Sequence, residues 1–119
     1  MGAVMRLIVL ATAIVLAGGG QACAEGFGFQ SGEQLLSNCQ SKEPRETWSC
    51  RNYVSGAVDT LQLTQRLTMA CMFIPPEGLT EEQSVGVVLE YLKAHPEELW
   101  MSGARNVVAA MAMAYPCAR

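Results

Sequence analysis

The feature that most constrains this chain is its set of cysteines. Four of the five, Cys39, Cys50, Cys71 and Cys117, follow an N-terminal apolar leader. An even number of cysteines in a short exported chain is normally a disulfide framework. The leader, residues 1–24, has one early charge at Arg6, an uncharged apolar run from Leu7 to Ala17, three glycines and the triplet Ala22-Cys23-Ala24. That is the layout of a secretory signal peptide with an A-x-A cleavage site. Its apolar run of ~11 residues is about half of the ~20 that a membrane-spanning helix needs, so the leader is expected to be cleaved rather than kept as an anchor. Gly20, Gln21 and Ala22 lack the Leu or Val usual upstream of a lipid-anchor cysteine, so Cys23 is read as part of the leader. The mature part, residues 25–119, is then expected in the periplasm or an equivalent oxidising space, free of the membrane.

A single domain of about 95 residues buries only about 60 to 65 percent of its unfolded surface, which leaves its core marginal and in need of staples. Without Arg6 it carries seven basic and eleven acidic side chains. A net-acidic domain with no clustered basic face has no electrostatic footprint for nucleic acid.

The apolar spacing predicts four helices and no strands. Ser31 caps the first, with Glu33 in its positive first turn and Leu35 and Leu36 turned inward; Pro44 and the polar stretch around it end the segment after Cys39. The second is expected over residues 47–70, with Tyr53, Val54, Ala57, Val58, Leu61 and Leu67 on one face, Gly56 inside for close packing, and a break after Leu61 allowed by Thr60, Thr64 and Thr68. Pro75, Pro76 and Gly78 form a connection, and Thr80 with Gln83 is a capping-box pattern for a third helix whose inward stripe is Val85, Val88, Leu89 and Leu92. Pro96 suits the first position of a fourth, with Leu99, Val107, Val108, Met111 and Ala114 at core spacing. The fold class is therefore all-α, a small four-helix up-down domain stapled by disulfides.

In an up-down bundle the end of the first helix lies beside the start of the second, and the end of the second beside the end of the fourth. That geometry pairs Cys39 with Cys50 and Cys71 with Cys117. A metal cage is disfavoured, because no Cys-x-x-Cys spacing occurs and His95 is the sole histidine.

No serine-nucleophile elbow, phosphate loop or zinc-protease helix is present. A Cys-His nucleophile would need a free thiol, which the bridges do not leave, so His95 reads as a surface loop residue and Glu97 and Glu98 as partners of a helix dipole. No catalytic residue, metal site or cofactor is expected. Met69, Met72, Met101, Met111 and Met113 are read mainly as core filling, and Trp48 and Trp100 as closing one end of the bundle.

Taken together, Ser31-Gly32, Leu35-Leu36 and Cys39; Cys50, Tyr53, Gly56 and Asp59; Cys71 and Pro75 before Gly78, Thr80 and Gln83; Tyr91-Leu92 with His95-Pro96-Glu97; and the closing Tyr115-Pro116-Cys117 resemble the small periplasmic immunity proteins of the Rap/Tai type. These protect a bacterium from peptidoglycan amidase effectors of type VI secretion systems. The chain departs from that pattern at Met72-Phe73-Ile74, where the family moves from cysteine to proline sooner, and at Tyr115, commonly Phe. The resemblance implies an all-helical domain, often a homodimer, that inhibits a cognate secreted amidase by occluding its cleft and is not itself an enzyme. It also implies that a loop near the third and fourth helices enters the effector: here Lys93, Ala94, His95, Pro96, Glu97 and Glu98. The competing function is a small helical periplasmic acid-stress chaperone, which would shed its dimer and expose apolar surface below about pH 3 as carboxylates protonate. The ordinary ratio of bases to acids gives it less support.

Overall fold

Ser31 and Thr80 each open a helix with both halves of a capping box. The Ser31 hydroxyl accepts from the Gln34 amide at 3.2 Å while Gln34 Oε1 accepts from the Ser31 amide at 3.0 Å; Thr80 and Gln83 repeat the exchange at 3.1 and 2.9 Å. The computed structural model describes residues 29–118, so the leader and its cleavage point lie outside the described residues. Four helices follow in order: α1 (Gly32–Gln40), α2 (Pro44–Thr68), α3 (Glu81–Ala94) and α4 (Gly103–Ala114), with a single 3-10 turn, Pro96–Glu98, before the last. Each helix contacts the other three. The protein is an all-α domain carrying two disulfides, and the described residues form no strand beyond an isolated antiparallel bridge between Ser31 and Ser102. None of their helices is long and apolar enough to cross a membrane.

Three boundaries differ from those read in the sequence. α2 starts at Pro44 rather than Thr47, because a proline at the first helical position supplies the right φ and lacks only an amide hydrogen that the helix would leave unpaired. It does not break after Leu61: the Thr60, Thr64 and Thr68 hydroxyls fold back onto the carbonyls of Gly56, Thr60 and Thr64 at 2.7, 2.8 and 2.8 Å, and the helix runs on to a left-handed cap at Met69, φ 57°. α4 does not start at Pro96. The carbonyls of Leu99 and Met101 accept from the Glu33 and Gly32 amides at 2.9 and 2.8 Å, so the chain leaves helical geometry there to serve the free donors at the start of α1. It re-enters at Gly103 under a Ser102 cap.

The core joins Leu35 of α1, Cys50, Val54, Val58 and Leu61 of α2, Val88 and Leu92 of α3, and Val107, Ala110 and Met111 of α4. Val85, Val108 and Leu99 pack partly buried against it. Leu67 is 75% exposed and Ala114 is also outside the core. Of the methionines among the described residues only Met111 is fully buried, and Met69 and Met113 face water. Trp48 and Trp100, expected to close the bundle, are 68% and 63% exposed.

Cys39 is bonded to Cys50 and Cys71 to Cys117, with Cα separations of 5.0 and 6.2 Å. On a loop-entropy model, the sequence separations of 11 and 46 correspond to about 3 and about 4 kcal/mol. The second bridge holds the connection after α2 against the tail after α4. Phe73 in that connection is buried in the core. Gln65 Oε1 accepts from the Met72 and Phe73 amides, and the Ile74 amide donates to the Tyr115 carbonyl at 2.9 Å. The Met72-Phe73-Ile74 stretch thus supplies a plug for the end of the bundle.

Candidate functional site

Pro96 follows the last residue of α3 by two, and its ring fixes φ while removing a donor, so the chain turns sharply at His95. The backbone then closes on itself: Glu98 N donates to His95 O at 3.0 Å, Leu99 N to Pro96 O at 3.4 Å and Met101 N to Glu98 O at 3.0 Å. From outside, the α1 amides take up the Leu99 and Met101 carbonyls, and the Gly103 amide donates to Gln30 O at 2.7 Å. From below, the fully buried Asn106 donates through Nδ2 to Glu98 O at 3.3 Å and Ser102 O at 3.0 Å. The result is a knuckle, residues 95–102, whose backbone is hydrogen-bonded within itself and tied through four carbonyls to α1 and α4.

Two glycines let the chain approach so closely. A Cβ at Gly32 would lie 2.6 Å from Asn106 Nδ2 and 3.0 Å from Leu99 O, and one at Gly103 would lie 2.9 Å from the Tyr53 ring. Tyr53 is held by this contact, and burial pushes its phenol pKa up, partly offset by a hydrogen bond from the Ala104 amide.

The side chains divide into an inner and an outer set. Inward, the Tyr91 hydroxyl donates to Glu98 Oε2, and Arg105 lies 3.7 Å from the same carboxylate. Burial, then the hydrogen bond and charge of Glu98, push the Tyr91 phenol up to about 12. Outward, the His95 ring lies against Tyr91, centroids 4.2 Å apart at 30°. Its Nδ1 is 3.0 Å from Glu97 Oε1. The Glu97 backbone amide and then His95 hold that carboxyl below its ordinary range. Lys93 pairs with Glu90 at 2.8 Å on the surface, Ala94 and Pro96 are exposed, and Trp100 projects from the knuckle. Beside His95 runs an apolar groove of about 440 Å³ between α3 and α4, lined by Gly86, Val87, Tyr91, Ala94 and Met113 among others.

Of the six residues singled out in the sequence, the structure therefore places Lys93, Ala94, Pro96 and Glu97 at the surface, His95 half-buried between Tyr91 and Glu97, and Glu98 turned inward as an anchor. Sequence reasoning set Trp100 inside the bundle and had Tyr91 only as part of the family pattern, and it missed Arg105 and Asn106. A signal for the anchoring was present in the two Ser-Gly pairs, Ser31-Gly32 and Ser102-Gly103, which meet at the isolated bridge.

The arrangement is suited to recognition. Among the described residues the His95–Glu97 pair has no thiol beside it, because Cys39, Cys50, Cys71 and Cys117 are all in disulfides. Among the described residues no three His, Cys, Asp or Glu side chains converge as metal ligands. What the site offers is a stiff protrusion with a charged and aromatic surface and an adjoining apolar groove.

The family model of the Rap1a immunity proteins matches residues 31–117, from the α1 cap to the last cysteine. No curated protein and no solved structure gives a significant match to the chain.

Proposed function

Because the chain belongs to the Rap1a immunity protein family, we propose that it is a non-enzymatic periplasmic immunity protein that binds a cognate type VI secreted peptidoglycan amidase and occludes its active-site cleft. The observation that carries the reading beyond the family is the stiffness of the knuckle. Its backbone is already hydrogen-bonded on both sides, so little further ordering is needed on entering a cleft, and affinity is gained by that economy. Lys93, His95, Glu97 and Trp100 form the entering surface in this reading, and the groove between α3 and α4 takes an apolar side chain from the effector. The two disulfides suit an oxidising compartment, and the protein works there as a homodimer.

The test is titration calorimetry of the oxidised mature protein against the amidase encoded by its own strain, with amidase activity read alongside. Stoichiometric binding that abolishes activity is the expected result, and Trp100→Ala weakens it by about 2 kcal/mol, roughly thirtyfold, as an exposed aromatic anchor should. Full amidase activity in the presence of excess protein would sink the proposal.

A further inference from the structure

The last buried residue of α2 is Leu61, although the helix runs on to Thr68; Leu63 and Leu67 beyond it are 55% and 75% exposed. Earlier on the same helix Gly56 is exposed, and a Cβ added there would meet nothing within 4 Å, so the glycine that the sequence reading kept for close packing serves none within the chain. The segment that follows these uncovered turns is fixed at two points. Met69 takes the left-handed cap conformation and turns the chain off the helix axis. Phe73 is buried in the core, and its amide donates to Gln65 Oε1 at 2.7 Å. Cys71 lies midway between this cap and this plug and is exposed.

The two disulfides are therefore presented differently. Cys50 is 1% exposed and belongs to the core, and Cys39 is half-buried. In thiol–disulfide exchange a thiolate attacks one sulfur and the other leaves as a thiolate. Attack on Cys39 would expel the Cys50 thiolate into apolar surroundings, which disfavour its charge. Attack on Cys71 meets neither obstacle, because Cys71 is exposed and the leaving Cys117 sits partly exposed in the tail.

Cys71 also forms part of the wall of a groove of about 420 Å³, with Gln62, Arg66, Met69 and Pro75 among the other lining residues. That volume is of the size that holds small molecules. Arg66 is the one charged side chain lining it, and among the described residues it pairs with no carboxylate. Its place in the last turn of α2 suits the negative end of the helix dipole and leaves the guanidinium open to an anion.

We propose that Cys71 is a site of reversible S-thiolation, at which a small carboxylate-bearing thiol is drawn to Arg66 and exchanges with the Cys71–Cys117 bridge. The incoming thiolate bonds to Cys71 Sγ, the Cys71–Cys117 bond breaks, and its electron pair leaves on Cys117 Sγ, which takes a proton from water. One disulfide replaces another, so no further oxidant or reductant is consumed, and the Cys117 thiolate reverses the step by attacking the mixed disulfide. Arg66 is a positioning residue, holding the carboxylate of the thiol rather than the reacting sulfur. Opening the bridge frees the tail after α4 from its covalent tie and leaves it the hydrogen bond from the Ile74 amide to the Tyr115 carbonyl. This assignment stands on the Cys71 end of the bundle alone and does not depend on the amidase reading.

The experiment treats the oxidised mature protein with excess reduced glutathione, an anionic thiol, quenches portions in acid at intervals and maps the products by mass. The first product is expected to carry one glutathione on Cys71 and a free thiol at Cys117, with Cys39–Cys50 intact. Arg66→Gln slows that step roughly threefold, the scale of an exposed charge pair, and Arg66→Lys restores it. Cysteamine, a cationic thiol, opens the bridge of Arg66→Gln at least as fast as that of wild type, which a merely structural role of Arg66 would not produce. Added salt narrows the glutathione difference. Opening of Cys39–Cys50 first, an adduct on Cys117, or resistance of both bridges overturns the proposal. Arg66→Gln that reacts with glutathione at the wild-type rate, or that slows equally towards both thiols, overturns it as well, because recognition of the anion is part of the site.

Discussion

Two long connections of this bundle are fixed by opposite means. The one after α2, residues 69–80, is fastened from its ends and its middle: Cys71 is bonded to Cys117, Phe73 is sunk in the core, and Gln65 takes two of its amides. The one after α3, residues 95–102, has no covalent tie and no fully buried side chain of its own. It is held by backbone hydrogen bonds to α1, by Asn106 beneath, and by two glycines that let it approach. The first arrangement lowers the entropy of the unfolded chain and fills volume, and so acts on stability. The second fixes shape at one place, which is what the proposed recognition surface requires. The connection with the larger energetic ties is the one for which no protein partner is proposed.

The largest test removes the covalent tie. Cys71→Ala with Cys117→Ala is expected to lose up to about 4 kcal/mol in denaturant unfolding, while exchange protection of the Gly32, Glu33 and Met101 amides changes only as the global stability does. A selective loss of protection in the knuckle would break the comparison, because it would make the bridge a support of the recognition surface.

The next test reverses the region. Asn106→Ala deletes two donors to the Glu98 and Ser102 carbonyls and leaves a small buried void, for a loss of about 2 kcal/mol. Amide exchange at Gly32, Glu33 and Met101 is expected to quicken by more than that global loss accounts for, while the Phe73 and Ile74 amides follow it. Uniform acceleration across both connections would mean that Asn106 is an ordinary core residue.

These two regions were also unequally legible. The helices, the Ser31 and Thr80 caps and the inward positions of Leu35, Val54, Val58, Val88 and Leu92 follow from periodicity and capping chemistry, both local properties of the sequence. The start of α4 was not local: Pro96 is a good helix opener, and only the demand of the α1 amides for the Leu99 and Met101 carbonyls, 66 and 69 residues later in the chain, explains why the helix waits until Gly103. Phe73 was seen as a departure from the family pattern, but its role as a plug depends on Gln65 and Tyr115 lying across the end of the bundle. Trp48 and Trp100 were misplaced for the same reason. An aromatic residue near a helix start packs inward or projects according to what stands opposite it, and the sequence does not state what does. The candidate segment was located by resemblance, whereas its inner anchors, Tyr91, Asn106 and Arg105, emerged only from the fold.

The smallest effect is the most specific to the knuckle. The Tyr91 phenol, at about 12 in the folded protein against an ordinary 10, holds its proton more tightly folded than unfolded. Its contribution to stability is therefore complete below about pH 10 and is lost as pH rises from about 10 to about 12. Tyr91→Phe removes the hydrogen bond to Glu98 and costs about 1 kcal/mol at neutral pH, and it should also flatten that alkaline limb. Thermal melts of both proteins at intervals between neutrality and pH 12 read the difference, the two curves converging at the alkaline end. Parallel curves would mean that the Tyr91–Glu98 contact is not formed in solution. Glu98 would then be free to join Glu97 on the outer surface, and the division of the knuckle into an anchoring and a presenting set of side chains would fail at the residue where it is sharpest.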